Sequence, residues 1–180
     1  MIVVDVETSG VSPKENSILS IGAIEFGNKE NCFYGECRLR DGAKVEDEAL
    51  KINGFSMEKI NNADISCEQL LINFIEWSRK IEDRTLAGHN VHFDFWFLYD
   101  HSKIFKIEWI FGIRVVDLHS AMYFYMLKNK IILPMKYNHS SMSLDFILDY
   151  LKLEKRKNIF HNALEDAKLT AEAFSKLLNI

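Results

Sequence analysis

Hydrophobic residues in the first 40 positions follow the pattern of β-strands. Residues 2–6, 17–26 and 32–40 are short runs rich in β-branched and aromatic side chains. The stretches 10–17 and 27–31 between them contain Gly, Ser, Pro and Asn, which favour turns. Three strands joined by short connections predict an antiparallel meander.

The rest of the chain alternates between helical and strand-like patterns. A fourth strand is predicted at residues 84–89, and residues 114–127 begin as a strand and continue as a helix. Apolar residues at helical spacing predict four further helices. These are residues 66–81, a segment starting near Val91, residues 143–153 and residues 162–178. This order predicts an α/β domain in which helices flank a mixed sheet.

The composition is that of a globular protein. With 180 residues, of which 48% are hydrophobic, we expect a single domain spanning residues 1–180. No window approaches the ~18 apolar residues that cross a membrane, and the N-terminus lacks the features of a signal peptide. The three cysteines form no CxxC pair. The sequence therefore predicts a cytoplasmic protein with free thiols and no membrane association.

Charge is distributed unevenly along the chain. The net charge of -4 argues against bulk electrostatic binding of nucleic acid, but residues 101–160 contain 10 Lys and Arg against 5 Asp and Glu. This basic excess predicts a surface that faces phosphates, with Lys155, Arg156 and Lys157 as first candidates because they adjoin His161. The alternative is a solvated surface without a ligand.

Two carboxylates, Asp5 and Glu7, lie at the end of the first predicted strand. They are two residues apart, so their side chains leave the same face. Open α/β sheets bind ligands at this end of their strands, and two like charges on one face repel unless a cation lies between them. Because Mg²⁺ prefers oxygen ligands, the pair indicates a metal site. The alternative is a strand end where both carboxylates are hydrated.

The same stretch is close to the Asp-x-Asp-x-Thr signature of phosphatases of the haloacid dehalogenase type. In those proteins the first Asp is a nucleophile. Glu7 stands here at the second acidic position, and no convincing later acidic pair follows, so this alternative is disfavoured.

A further carboxylate, Asp94, follows the fourth predicted strand. The strand ends at His89, Asn90 is a good helix N-cap, and Asp94 then lies in about the first turn of an aromatic-rich helix. An acid so close to aromatic core positions is unusual without a partner. The alternative is a favourable interaction with the helix N-terminus.

The last candidates are His161 and Asp166. On one continuous helix they would point about 140° apart. They converge more easily if His161 lies in a loop and Asp166 in the first turns of the helix. A histidine titrates near neutral pH and can accept a proton from water, although a lone histidine before a helix is more often a surface residue.

Three segments together resemble the motifs of the DnaQ-like DEDDh 3′–5′ exonucleases, which have a ribonuclease H-like fold. In chain order they are Asp5-x-Glu7-Thr8, His89-Asn90-x-x-Phe93-Asp94 and His161-x-Ala163-x-x-Asp166. One motif alone is weak, whereas three in the family's order over nearly the whole chain are specific. The resemblance implies a ribonuclease H-like mixed sheet with three early antiparallel strands and then parallel strands.

The resemblance also implies the chemistry. It predicts an exonuclease that shortens single-stranded DNA from the 3′ end and releases nucleoside 5′-monophosphates. Two divalent ions, Mg²⁺ or Mn²⁺, would be bound by four carboxylates, those of Asp5, Glu7, Asp94 and Asp166. His161 would be the general base. Substrate contacts are implied for residues near the motifs, which are Thr8, Ser9, Gly10, Asn53, Phe55, Asn90 and Phe93.

Several alternatives stay open. Asn53-Gly54-Phe55 stands where relatives often carry His-Gly-Ile, which leaves the substrate preference undecided. The same motifs fit an exoribonuclease of the RNase T or oligoribonuclease type that acts on RNA ends or short oligoribonucleotides. An inactive nucleic-acid-binding module is less favoured, because the five motif residues are intact. The expected partners are single-stranded DNA or RNA 3′ ends, a polymerase or repair protein in trans, and a second copy in a homodimer.

Overall fold

The computed structural model describes residues 1–156 and 159–179, and its centre is a five-stranded sheet. The strands are β1 (Ile2–Thr8), β2 (Ile18–Glu25), β3 (Asn28–Glu36), β4 (Leu86–Gly88) and β5 (Val116–Asp117). Their order is β3-β2-β1-β4-β5. The first three pair antiparallel, and β4 and β5 run parallel to β1. The predicted mixed sheet is therefore confirmed.

Helices cover both faces of this sheet. In the described residues they are α1 (Asp47–Asn53), α2 (Met57–Asn61), α3 (Cys67–Ser78), α4 (His92–Ile104), α5 (Leu118–Lys128), α6 (Leu144–Leu151) and α7 (Ala163–Leu178). The helices α3 to α7 match the predicted ones. Two short helices, α1 and α2, and a small hairpin of β6 (Met135–Lys136) and β7 (His139–Ser140) were not predicted. Within the described part of the chain, no helix is long and apolar enough to span a bilayer.

Two local predictions were wrong. The strand β3 begins at Asn28 rather than at residue 32, because Gly27 makes a tight turn with a positive φ of 89°. Asn90 is not the N-cap of α4, since it has a φ of 55° and Val91 takes the cap position. Asn tolerates this left-handed conformation, so Asn90 turns the chain from β4 into α4. The side chain of Asp117 accepts a hydrogen bond from the Val91 N–H instead (3.3 Å).

Strand β1 is buried in the middle of the molecule and directs its side chains alternately into two cores. Val4 and Val6 belong to the core that contains α3 and α4, whereas Val3 packs with α7. Because the side-chain period of a strand is two, Asp5 and Glu7 continue the Val3 row and lie on the face covered by α7. The fold thereby directs two acids toward the helix that carries Asp166.

Candidate active site

A cleft of about 520 Å³ opens at the carboxyl ends of β1 and β4. Four of the five predicted catalytic side chains line it, which are Asp5, Glu7, Asp94 and His161. The fifth, Asp166, is buried beside them, and its Oδ2 lies 3.6 Å from Nδ1 of His161. The structure thus brings together residues that are up to 161 positions apart in the chain.

The first turn of α7 reaches this site because β2 has no side chain at Gly22. A Cβ there would come within 2.1 Å of the backbone of Ala163 and Leu164, so glycine is required for the close approach. Asn162 caps the helix by accepting a hydrogen bond from the Glu165 N–H. His161 precedes α7, and the N–H of His161 donates to the carbonyl of Ile52 in α1 (3.1 Å). Its loop position agrees with the sequence-based prediction.

The carboxylate of Asp94 is fixed from the other side of the sheet. The backbone N–H of Val6 in β1 donates to its Oδ1 at 2.8 Å. This bond ties the first turn of α4 to the strand that carries Asp5 and Glu7. The carboxylate is thereby held at the cleft, which Asp94 lines.

The four carboxylates have raised pKa values, and burial is the main cause in each case. The pKa of Asp5 is well above its ordinary value because of burial and then the charges of Asp94 and Glu7. Burial and the charge of Asp166 raise the pKa of Glu7 to about 7. Burial also raises the pKa of Asp94 and of Asp166. Such a set of mutually repelling acids is stabilised by bound cations.

Two observations show that these residues fit a divalent metal ion. Ligand atoms of Glu7, His161 and Asp166 all lie within 4.8 Å of one another. In addition, Oε1 of Glu7 is buried and accepts no hydrogen bond from the described residues, which is costly for an unpaired carboxylate. Oxygen-rich sites of this kind suit Mg²⁺ and Mn²⁺.

Arg156 is a cation at the edge of the acidic cluster. From the sequence, it had been predicted only to face substrate phosphates. Its Nε donates to Oδ1 of Asp166 (2.5 Å), and its Nη1 donates to Oδ1 of Asp145 (2.7 Å). The guanidinium charge acts to lower the pKa of Glu7 and of His161. Arg156 therefore neutralises part of the acidic cluster within the protein.

The other two members of the predicted basic group are placed differently. Lys155 forms an exposed ion pair with Asp149 (2.7 Å), and Lys157 lies outside the described residues. Because Lys155 and Arg156 both pair with acids of this chain, a phosphate-binding surface between residues 101 and 160 would depend on other side chains.

Most of the predicted substrate-contacting residues line the cleft, namely Thr8, Gly10, Asn53, Asn90 and Phe93. The side chain of Ser9 does not line the cleft, because it is fully buried. Its hydroxyl donates to the carbonyl of Lys44 and accepts a hydrogen bond from the N–H of Ser17. The ring of Phe55 packs in a small core with Leu19 and Ile60. Ser9 and Phe55 thus support the fold around the cleft.

Of the residues by which α1 and its N-cap form a wall of the cleft, only Asn53 was predicted from the sequence. This wall includes Ile52, which is 55% exposed, and Glu46, Glu48 and Ala49. The signal for a helix was short, only seven residues, and an exposed apolar residue in a short helix has no distinctive pattern. Asn53 joins this wall to β1, since its Nδ2 donates to the carbonyl of Thr8 (3.0 Å).

The metal-free protein should become more stable as the pH falls from about 7 toward 4.5. Glu7 has a pKa of about 7 in the folded protein against an ordinary value of 4.5, so the folded state binds more protons in this interval. This contribution is complete below pH 4.5 and lost as the pH rises through 7, and at ~1.4 kcal/mol per pKa unit it amounts to about 3 kcal/mol. Urea unfolding in EDTA from pH 4.5 to 8 measures it. Glu7→Gln should flatten the profile, and an unchanged profile would contradict the assignment.

Arg156→Gln should lower the melting temperature of the metal-free protein at pH 8 by about 5 °C, because breaking a buried ion pair is costly. The deficit should shrink at pH 5, where protonation of Glu7, whose pKa is raised to about 7, reduces the negative charge of the cluster, and also in Mn²⁺. Differential scanning calorimetry measures both effects. Lys155→Gln is the matched control, since its ion pair is exposed and contributes little. An equal deficit at both pH values would indicate a packing role for Arg156.

Comparison with known proteins supports the same assignment. The sequence profile of the RNase T family, described as "Exonuclease", matches residues 2–174. The 3′-5′ DNA exonuclease Cap18 of Escherichia coli is 31% identical over 177 residues, which are 95% of this chain and 87% of that protein. The PolC-type DNA polymerase III of Thermotoga maritima is 25% identical over 99% of this chain. The chain spans only 12% of that polymerase.

Solved structures show the same fold. E. coli exonuclease I in complex with a dT13 oligonucleotide superimposes with a TM-score of 0.76 at 16% identity, covering 99% of this chain and 40% of that one. The nuclease domain of 3′hExo, a DEDDh family member bound to rAMP, gives a TM-score of 0.75 at 16% identity over 99% of this chain and 90% of that one.

Proposed function

Since the chain belongs to the RNase T family of exonucleases, we propose that it removes nucleotides from the 3′ end of single-stranded DNA. The observation that carries this proposal is the convergence of Asp5, Glu7, Asp94, His161 and Asp166 at one cleft. DNA is favoured over RNA because the 31% identical relative, which matches over most of both chains, is a DNA exonuclease.

We assign two divalent ions, Mg²⁺ or Mn²⁺, to Asp5, Glu7, Asp94 and Asp166. Their raised pKa values and the unpaired Oε1 of Glu7 support this assignment. When bound, two such ions stabilise the attacking and leaving oxygens of a phosphodiester. The protein's own contribution is to hold the carboxylates in place, as the Val6 N–H does for Asp94.

His161 is the proposed general base. Burial and then the charge of Arg156 lower its pKa below 6.5, so the imidazole is neutral at pH 7 and can accept a proton. It would take this proton from the water that attacks phosphorus. The bond between phosphorus and the 3′ oxygen of the preceding nucleotide then breaks, and a nucleoside 5′-monophosphate leaves.

The shape of the cleft supports removal of one terminal nucleotide at a time. Thr8 at the end of β1 and Gly10 and Val11 in the following loop line one part of the cleft, and Ile52 of α1 forms a wall. We assign the contact with the terminal 3′-hydroxyl to the segment from Thr8 to Gly10, because Thr8 and Gly10 both line the cleft. Phe93 is 38% exposed in the cleft and offers a ring for base stacking.

Association with a polymerase or repair protein in trans is a further part of the proposal. It is supported by the match to a PolC-type polymerase, although the chain spans 12% of that protein. A homodimer, a cytoplasmic location and a single domain over residues 1–180 stay predictions from the sequence.

The test is release of mononucleotides from 5′-labelled single-stranded DNA and from RNA of the same sequence. We expect stepwise shortening of the DNA in Mg²⁺ or Mn²⁺ and none in EDTA, with nucleoside 5′-monophosphates identified by chromatography. A 3′-phosphorylated oligonucleotide serves as a blocked control. Faster shortening of RNA would favour the exoribonuclease alternative, and no shortening of either would favour the binding module.

A further inference from the structure

The segment between α5 and α6 carries a basic and aromatic hairpin with no acidic residue nearby in sequence. Residues 118–144 contain Lys128, Lys130 and Lys136 but no Asp or Glu. In the described residues none of these three lysines forms an ion pair. They are all exposed. Unlike Lys155 and Arg156, these lysines keep their charge available to an anionic ligand.

The hairpin presents an aromatic ring at its tip. Lys136 pairs with His139 across the two strands, and Tyr137 and Asn138 form the turn with φ values of 50° and 63°. Positive φ at both central residues is the geometry of a tight two-residue turn. Tyr137 is 84% exposed, and Nζ of Lys136 lies 5.4 Å from the centre of its ring.

Contacts connect the hairpin to the cleft. The hydroxyl of Ser140 in β7 is hydrogen-bonded to Nε2 of His119 at the start of α5 (2.9 Å). The His119 ring lies edge-on to the ring of His89, with centroids 6.3 Å apart, and His89 lines the cleft. Nε2 of His89 donates to the carbonyl of Met142, just after the hairpin (3.0 Å).

These contacts follow the order of the sheet. The carboxyl ends of β1, β4 and β5 lie side by side and carry Glu7, His89 and Asp117, and the hairpin comes next through His119. Two strand spacings separate β1 from β5, about 10 Å. At the ~3.4 Å per nucleotide of a stacked strand, about 10 Å corresponds to about three nucleotides, and the hairpin follows β5 in this row.

We propose that the β6–β7 hairpin is a second binding site for the substrate strand, upstream of the terminal nucleotide. Tyr137 stacks on a base, and Lys136 contacts a phosphate. Lys128 and Lys130, which precede the hairpin in the sequence, contribute further positive charge. The proposal rests on the proposed function, since it takes the occupant to be the same single strand whose 3′ end enters the cleft. It accounts for a basic surface on a chain with a net charge of -4.

The experiment compares binding of short and long strands. Fluorescence anisotropy of 5′-labelled (dT)2 and (dT)10 is measured in Ca²⁺ for the wild type and for the double variant Lys136→Gln/Tyr137→Asn. Asn tolerates the left-handed backbone of position 137, so the turn is retained. Lys80→Gln is the matched control, because Lys80 lies at the edge of the sheet opposite the cleft. It follows α3, in the segment where Asp83 and Thr85 contact the amino end of β1 and lead into β4.

We expect the wild type to bind (dT)10 more tightly than (dT)2, and the double variant to lose about 5-fold or more of its affinity for (dT)10. Its affinity for (dT)2 should stay within the error of the wild type. Loss of one phosphate contact should reduce the slope of log Kd against log salt by about 0.7. An unchanged Kd for (dT)10 would overturn the proposal.

Activity is measured separately with the p-nitrophenyl ester of thymidine 5′-monophosphate, which is too short to reach the hairpin. Equal hydrolysis of this ester by the wild type and the double variant, combined with weaker binding of (dT)10, supports the second site. No hydrolysis by the wild type would count against the proposed function, whereas the anisotropy result would still decide the role of the hairpin.

Discussion

Replacing Glu7 with Gln should lower the turnover number on single-stranded DNA by about 10²-fold or more, because loss of several kcal/mol of charge stabilisation corresponds to such a factor. Asp5→Asn, Asp94→Asn and Asp166→Asn should have effects of the same order. Each substitution keeps the shape of the side chain and removes the negative charge to which we assign metal binding. Stepwise shortening of a labelled oligonucleotide at saturating Mn²⁺ measures the loss.

The fold should survive these substitutions, because they relieve repulsion between buried acids. The amide oxygen of Asn at position 94 can still accept the hydrogen bond from Val6. In EDTA at pH 8 the melting temperature of Asp5→Asn or Glu7→Gln should equal or exceed that of the wild type, since the raised pKa values reflect the cost of ionising Asp5 and Glu7.

Glu82→Gln is the control for this series. Glu82 is exposed in the connection that leads to the amino end of β4, at the edge of the sheet opposite the cleft. Its turnover should equal that of the wild type, so a general effect of lost negative charge can be excluded. A carboxamide variant with wild-type turnover would remove that carboxylate from the site.

The sheet and the acidic cluster could be predicted from the sequence because both leave local signals. The early strands are bounded by turn residues, and Asp5 and Glu7 interrupt a run that is otherwise buried. An acid in such a position needs a cation, which directs attention to further acids such as Asp94. The loop position of His161 followed from helix geometry together with the expectation that His161 and Asp166 meet at one site, because residues five positions apart point about 140° apart on a continuous helix.

Other parts of the site depend on contacts between distant segments that no local pattern reveals. Arg156 had the signal of a surface cation in a basic stretch, but the fold places it against Asp145 and Asp166. Phe55 had the signal of an aromatic residue near the substrate, but it fills the space beside Leu19 and Ile60. In both cases the side chain has a partner that lies on another element.

The β6–β7 hairpin could not be predicted because its strands are only two residues long and its turn residues, Tyr137 and Asn138, are not the Asn-Gly pair that favours such turns. The bond between Ser140 and His119 and the contact of the His119 and His89 rings connect it to the cleft. The sequence indicated that the basic excess lies between residues 101 and 160, and only the fold separates the paired cations from the exposed ones.

His161→Ala should lower turnover by about 10²–10⁴-fold at pH values above the pKa of His161, where the wild type has the neutral base, because a positioned general base contributes a factor of this size. In the wild type the rate should rise with pH as the imidazole loses its proton, with the midpoint below 6.5, because burial and Arg156 lower the pKa of His161. Above that midpoint the neutral base is fully populated. A pair of pH–rate profiles at saturating metal, for the wild type and the variant, measures both the loss and the ascending limb.

Two further measurements separate a base from a metal ligand, since a ligand atom of His161 also lies within 4.8 Å of those of Glu7 and Asp166. If His161 is the base, the affinity for Mn²⁺ measured by calorimetry should be nearly unchanged in His161→Ala, whereas Asp166→Asn should weaken it. Added imidazole should restore part of the variant's turnover, because a small base can enter the space left by the side chain. If His161→Ala weakens Mn²⁺ binding and imidazole does not restore turnover, His161 is a metal ligand. If the variant keeps wild-type turnover and the same ascending limb of the pH–rate profile, His161 takes no part in the proton transfer.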